Sequence, residues 1–238
     1  MNMLLLGHRG FRRFYPENTL LAFKKALQCG ADGIEFDVWL TKDGKLVVTH
    51  NRYFRAVNNG NWFDVKALKL SEIRHLHPLG VVMTTADEVL REFSGAYFNV
   101  DVKDIDAVDG ILRIIQEPEK VILSSDNPAI LKSIRERNGE VKLGFSIIEW
   151  SSLFKFPVLR RELGLYSLHV PIDAVDYIGL PTLKLLLRWA RSLGVRIALW
   201  NYQQDEFRYL PSLIKYSDIV ISDDVSRAFQ ILGKRLFR

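Results

Sequence analysis

The sequence predicts an α/β fold, a (β/α)8 TIM barrel with a small insertion after the second strand hairpin. Three observations predict it. Short apolar, β-branched segments alternate with longer amphipathic ones almost from end to end, the pattern of βα units. Eight strand segments can be recognised, and 238 residues approach the about 250 such a barrel takes. No Pro-, Gly- and Ser-rich linker divides the chain, so residues 1–238 read as a single barrel domain carrying insertion 51–80. A doubly wound open sheet is the structural rival, but no Gly-rich phosphate fingerprint follows the first strand.

In chain order, strands are expected to begin near Met3, Gly33, Tyr97, Lys120, Lys142, Gly164, Arg196 and Asp218. Helical segments fall between them near 18–30, 84–94, 105–117, 127–138, 150–163, 181–193 and 205–216, with a last one near 225–236. Only the gap from Gly33 to Tyr97 is long. There, the run 34–40 is followed by Thr41-Lys42-Asp43-Gly44 and the run 45–50, two strand-like segments joined through Asp-Gly, a strong hairpin signal. Residues 51–80 show no clear periodicity and carry Tyr53, Phe54, Trp62 and Phe63 beside basic residues. The segment is too small for an independent domain and is placed as a lid or subdomain on the barrel mouth. Helical patterning resumes at Thr84 and Thr85, N-cap residues, with Glu88 spaced as a capping-box partner for Thr85.

Composition narrows the partners. The chain is 48% hydrophobic, with 33 Lys+Arg against 28 Asp+Glu. Its one cysteine, Cys29, excludes an intramolecular disulfide and a thiolate zinc site, and reads as a small core residue. The apolar residues 3–6 run at once into Gly7-His8-Arg9, too short for a signal or a span, and no later apolar run reaches ~18 residues. A soluble, cytoplasmic protein without stable membrane insertion is expected; the oligomeric state is not encoded in any pattern recognised. The positive charge is uneven, with a surplus of three in 51–80 and of four in 225–238, while the other residues are net negative. A nucleic-acid binder more often shows one continuous basic face with aromatics interleaved, so no nucleic-acid partner is expected.

In such barrels the reacting groups stand at the C-terminal strand ends. The polar residues there are His8 and Arg9, Glu35 and Asp37, His50, Asp101 and Lys103, Trp200 and Asp223. Side chains two apart on a strand share a face, so Glu35 projects with Asp37, and Asp101 with Lys103. Three converging carboxylates without a thiolate favour a hard divalent cation, magnesium or calcium, with manganese a further candidate. The bland alternatives are an exposed strand face for Glu35 and Asp37, and a structural ion pair for Asp101 and Lys103. Two histidines beside carboxylates, with Arg9 and Lys103 to hold an anion, suit displacement at phosphorus, because imidazole titrates near neutrality. His75 and His77 read as surface residues, and His169 as pocket wall.

Gly7-His8-Arg9-Gly10, Pro16-Glu17-Asn18-Thr19, Gly30-Ala31-Asp32-Gly33-Ile34-Glu35-Phe36-Asp37-Val38, Thr41-Lys42-Asp43-Gly44 and Val47-Val48-Thr49-His50 resemble the glycerophosphodiester phosphodiesterases. The resemblance continues through 99–103 and Leu199-Trp200-Asn201 to 218–223, and so spans the barrel. It implies a metal-dependent phosphoric diester hydrolase that converts a small-molecule glycerophosphodiester to glycerol 3-phosphate and an alcohol. It also implies roles: His8 and His50 as the acid/base pair, Glu35 and Asp37 as metal ligands, Arg9 and Lys103 as phosphate contacts, Trp200 as pocket wall. Glu17 and Asn18 match a motif beside the site.

Three positions depart from the family pattern. Asp101 stands where Glu is usual as third metal ligand, as it does in the similar sphingomyelinase D enzymes. Asn51 replaces the Asp that commonly follows the second histidine, removing a carboxylate that could orient His50. Ser222 replaces Thr before Asp223. The expected chemistry has a metal on Glu35, Asp37 and Asp101, one histidine activating water or the neighbouring glycerol 2-hydroxyl, and His50 as general acid. Rival readings are a lysophospholipase D-like enzyme taking a lipid on the aromatic insertion, a barrel that binds phosphodiesters without turnover, and a nucleic-acid phosphodiesterase resting on charge alone.

Overall fold

The first strand, β1 (Leu4–His8), is parallel to β2 (Gly33–Leu40) on one side and to the last strand on the other, and that double pairing closes the sheet. The computed structural model describes residues 3–149, 151–202 and 205–233. The remaining strands are β3 (Leu46–Val48), β4 (Tyr53–Arg55), β5 (Trp62–Asp64), β6 (Tyr97–Val102), β7 (Val121–Ser125), β8 (Lys142–Ser146), β9 (Ser167–Pro171), β10 (Arg196–Trp200) and β11 (Ile219–Ser222). Around the barrel the order is β1, β2, β6, β7, β8, β9, β10, β11, all parallel, which excludes the open sheet.

The helices are α1 (Leu20–Gln28), α2 (Leu70–Leu76), α3 (Ala86–Glu92), α4 (Val108–Ile114), α5 (Pro128–Arg137), α6 (Ser152–Leu163), α7 (Val175–Ile178), α8 (Leu180–Ser192), α9 (Leu210–Leu213) and α10 (Val225–Ile231). Their starts follow local chemistry. Thr19 caps α1 by accepting from the Ala22 N–H at 3.2 Å, and Asn127 caps α5 ahead of Pro128. Thr85 caps α3, and its own N–H donates to Glu88 Oε2 at 2.9 Å, as the capping-box spacing requires. The single helix expected over 205–216 is instead a 3-10 turn (Glu206–Arg208), α9 and a second 3-10 turn (Ile214–Tyr216). Pro211 stands in the first turn of α9 and lacks the N–H that a continuous helix would use. The helix expected over 225–236 ends earlier, at Ile231 with Leu232 as C-cap and Gly233 at φ 60°; Lys234, Arg235 and Arg238 lie outside the described residues, as does Trp150.

Strand alternation separates two cores. Ile34, Phe36 and Val38 of β2 face outward and join Phe23, Phe98 and Val100 under the helices. Inside the barrel, Leu6, Ile122, Ala198, Ile219 and Ile221 form an apolar plug below the strand ends. Gly33 is required by packing, since a Cβ there would lie 2.0 Å from the Tyr97 carbonyl oxygen across the β2–β6 contact.

β2 has a divided pairing that sets up the site. Its first residues pair with β1, ending at His8 opposite Glu35, while Val38 to Leu40 pair antiparallel with β3. It therefore begins in the barrel wall and ends beyond the rim as half of a hairpin. Residues 51–80 are ordered by short elements, the β4–β5 hairpin and α2, each too short to imprint a period on the sequence. Phe54, Val65 and Ile73 pack with Val47 and Met83 in a small core of their own against the hairpin.

Candidate active site

His8 is the last residue of β1, and its buried ring places Nδ1 2.7 Å from Asp223 Oδ1, just past the end of β11. Burial lowers the His8 pKa, with the Asp223 hydrogen bond opposing it. Burial alone would raise Asp223, but the bond from His8 and the guanidinium of Arg12, Nε 2.7 Å away, hold it at about 2. Asn201 Nδ2 donates to the second Asp223 oxygen at 3.0 Å.

Arg9 and Asn18 adopt left-handed backbone conformations, φ 52° and 57°, at about 1–3 kcal/mol each for non-glycine residues. The conformation turns the Arg9 N–H onto Glu35 Oε2 at 2.9 Å, while the Arg9 guanidinium reaches Glu17 at 3.0 Å and Asp37 at 3.3 Å. Asn18 Nδ2 donates to Asp37 Oδ2 at 3.3 Å. Glu17 and Asn18 therefore support Arg9 and Asp37 respectively, a role that their motif alone did not reveal.

One carboxylate oxygen from each of Glu35, Asp37 and Asp101 lies within 4.8 Å of the others. Lys103 Nζ stands 2.5 Å from Asp101 and 3.4 Å from Asp37, so the ion pair left open by the sequence is present. Asp37, which burial would raise, is brought to about 2 by Lys103 and Arg9. The positive charge does not balance the whole cluster. Burial and the Asp37 charge push Glu35 well up, and burial raises Asp101 despite Lys103. Lys103, opposed by burial, is raised by Asp101 and Asp37. A buried set of hard oxygen donors with this excess of negative charge fits a divalent cation. Asp101, shorter than the usual glutamate, still reaches the cluster and is braced by Ser124 Oγ at 3.3 Å.

His50 stands half-buried at the hairpin end, its Nδ1 2.9 Å from Asn51 Oδ1 and its carbonyl accepting from Trp39 Nε1 at 3.2 Å. The Asn51 amide oxygen thus takes the place expected of a carboxylate, orienting the ring without adding charge.

His8, Arg9, Glu35, Asp37, His50, Asp101, Lys103 and Trp200 all line one cleft. Ile148, His169, Tyr202 and Ile221 also line it, the Tyr202 ring standing edge-on to Trp200 with centres 5.8 Å apart. No lining residue of this cleft comes from 51–80; Arg52 is committed to Asp64 at 2.7 Å and covers the Tyr53 ring. His77, expected on the surface, is half-buried against Phe54, with ring centres 4.8 Å apart and Nδ1 accepting from the Leu79 N–H. Sequence reasoning also missed Arg12 and the pairing of Asp223 with His8. Only the position of Asp223 at the end of the last strand signalled it.

His169 is buried in the cleft wall, 2.9 Å from Ser167 Oγ, and burial lowers its pKa to about 4 from 6.5. The unfolded chain binds this proton below about 6.5 and the folded one only near 4, so this contribution to stability is complete above 6.5 and is lost as pH falls toward 4. His169→Asn is expected to lose less Tm than the wild type between about pH 7.5 and 5. Equal losses in parallel melts would contradict the assignment.

A closed parallel barrel with acidic, basic and imidazole groups collected at its C-terminal rim defines the class as a TIM-barrel enzyme. A sequence model of the glycerophosphoryl diester phosphodiesterase family matches residues 8–108. A glycerophosphodiester phosphodiesterase of Caldanaerobacter subterraneus subsp. tengcongensis is 31% identical over 98% of this chain and 99% of its own. The crystal structure of a glycerophosphodiester phosphodiesterase from Thermotoga maritima superposes with a TM-score of 0.82 at 32% identity, covering 97% of this chain and 99% of that one. A phosphodiesterase from Oleispira antarctica, solved in complex with the product sn-glycerol-3-phosphate, shares the fold with a TM-score of 0.79 at 19% identity over 97% of each chain. The chain belongs to the glycerophosphodiester phosphodiesterase family and is a hydrolase. Among the described residues, no helix is long and apolar enough to cross a membrane.

Proposed function

We propose that this chain hydrolyses glycerophosphodiesters to sn-glycerol 3-phosphate and an alcohol, using His8 and His50 as an acid/base pair beside a divalent cation held by Glu35, Asp37 and Asp101. The observation that carries this reading is the convergence of both histidines and all three carboxylates on one cleft. The product named for the Oleispira antarctica phosphodiesterase has the same chemistry.

Glu35, Asp37 and Asp101 would hold the divalent cation, which would supply Lewis acidity to the phosphate when bound. Arg9 and Lys103 add fixed positive charge where the transition state gains negative charge. Asp223 occupies His8 Nδ1, leaving Nε2 for the reaction; it lies 3.9 Å from Glu35. Because burial favours the neutral ring, His8 is suited to accept the proton of the nucleophile. His50, held at Nδ1 by Asn51, then protonates the leaving alkoxide from Nε2. Trp200 forms the wall behind His8, ring centres 6.2 Å apart.

The test is a panel of glycerophosphocholine, glycerophosphoethanolamine and lysophosphatidylcholine, assayed for glycerol 3-phosphate or lysophosphatidate after chelation and add-back of magnesium, calcium or manganese. Faster turnover of the deacylated diesters is expected, since the aromatic insertion does not line the cleft. Preference for lysophosphatidylcholine would favour the lysophospholipase D-like rival. Binding without product under every metal would leave a non-catalytic barrel.

A further inference from the structure

Glu206 is a buried carboxyl group that the mechanism above does not use. It stands at 2% exposure on the 3-10 turn after β10. Its Oε1 accepts from Ser222 Oγ at 2.7 Å, from the Asp223 N–H at 3.2 Å and from the Asp224 N–H at 3.4 Å. β11 ends at Ser222, so the next two N–H groups have left the sheet ladder and need another acceptor. One oxygen of Glu206 supplies it for Asp223 and shares the Asp224 N–H with Ser222 Oγ, 3.2 Å from that nitrogen. Its other oxygen, Oε2, is buried without a hydrogen-bond partner among the described residues.

We infer that Glu206 is the positioning residue that holds the Asp223 carboxylate against His8, acting through the backbone of residues 222–224. The inference rests on the reading of His8 as an acid/base group. Arg12 and Asn201 bind the Asp223 carboxylate oxygens, whereas Glu206 sets the main chain from which that carboxylate projects. No bond to substrate is involved. Burial, helped by the Asp223 charge and opposed by the Ser222 hydrogen bond, pushes Glu206 up to about 8, so glutamine is its neutral isostere near pH 7. Glutamine keeps a carbonyl oxygen for all three donors. Aspartate is one methylene too short to reach them from the same backbone, and leucine accepts from none.

The experiment compares E206Q, E206D and E206L with H8A, D223A and the E206L/D223A double variant, reading kcat and KM for glycerophosphocholine with magnesium, and thermal melts for each. E206D and E206L are expected to lose about 10–100-fold in kcat with KM within about threefold, the cost of misplacing a catalytic group by about an ångström. E206Q is expected to stay within about threefold of wild type. The double variant is expected to match D223A alone, because both changes release the same imidazole. If E206L does not fold, E206D and E206Q decide by the same thresholds. Folded E206D with wild-type kcat, or a loss in the double variant equal to the product of the single losses, overturns the inference. Activity retained by H8A would overturn the His8 reading and this inference with it; inactive H8A beside wild-type E206D would overturn this inference alone.

Discussion

His8→Ala is expected to lower kcat on glycerophosphocholine by about 10²–10⁴-fold, with KM changing by less than tenfold, and His50→Ala is expected to do the same. The two rings face one cleft from different elements, His8 from β1 and His50 from the end of the β2–β3 hairpin. In the proposed mechanism each carries a separate proton transfer. Their environments differ: His8 is buried and bound to a carboxylate, whereas His50 is half-buried and bound to an amide. A leaving group that needs no protonation, such as p-nitrophenolate, should rescue the variant of the general acid and not that of the general base. Rescue of His50→Ala supports the assignment made here; rescue of His8→Ala alone reverses it. Turnover within a few-fold of wild type in either variant, with an unchanged melt, would remove that histidine from the mechanism.

Chelation is expected to abolish turnover, and add-back of a divalent cation to restore it. Asp37→Asn should cost about 10²–10³-fold with metal in excess, since several kcal/mol of transition-state charge stabilisation are at stake. Asp37 is central because Arg9, Asn18 and Lys103 all converge on it. A second readout does not depend on activity. In chelator, Glu35→Gln should melt no lower than wild type near pH 7, because it removes a carboxyl whose pKa burial and Asp37 raise in the fold. The sign follows from linkage: a carboxyl with a raised folded pKa opposes folding above its unfolded value of about 4.5. With metal present the order should reverse, as the wild type gains the binding free energy and the variant gains less. Full activity in chelator after exhaustive dialysis would remove the metal from this reading.

Much of the barrel was legible along the chain because its strands are buried on both faces or alternate strictly, and both patterns are local. The start of β2 at Gly33, of β6 at Tyr97 and of β10 at Arg196 follow directly from such runs. The insertion was not legible, because three-residue strands and a seven-residue helix are too short to set a period. His77 was misread for the same reason, since its partner Phe54 lies across that small core.

The sequence by itself determined the βα order, the closed-barrel class and eight of the side chains that line the cleft, since strand alternation and strand-end position are properties of neighbouring residues. Only the tertiary structure decided what those side chains are bound to. Asp223 reaches His8 because closure brings β11 beside β1, and Glu206 reaches the same corner from after β10. Arg9 is held by Glu17 and Asp37, and Lys103 by Asp101 and Asp37, so each cation is paired with carboxylates before any anion arrives. These pairings set which groups are charged, and they depend on distances and burial that residue spacing does not contain.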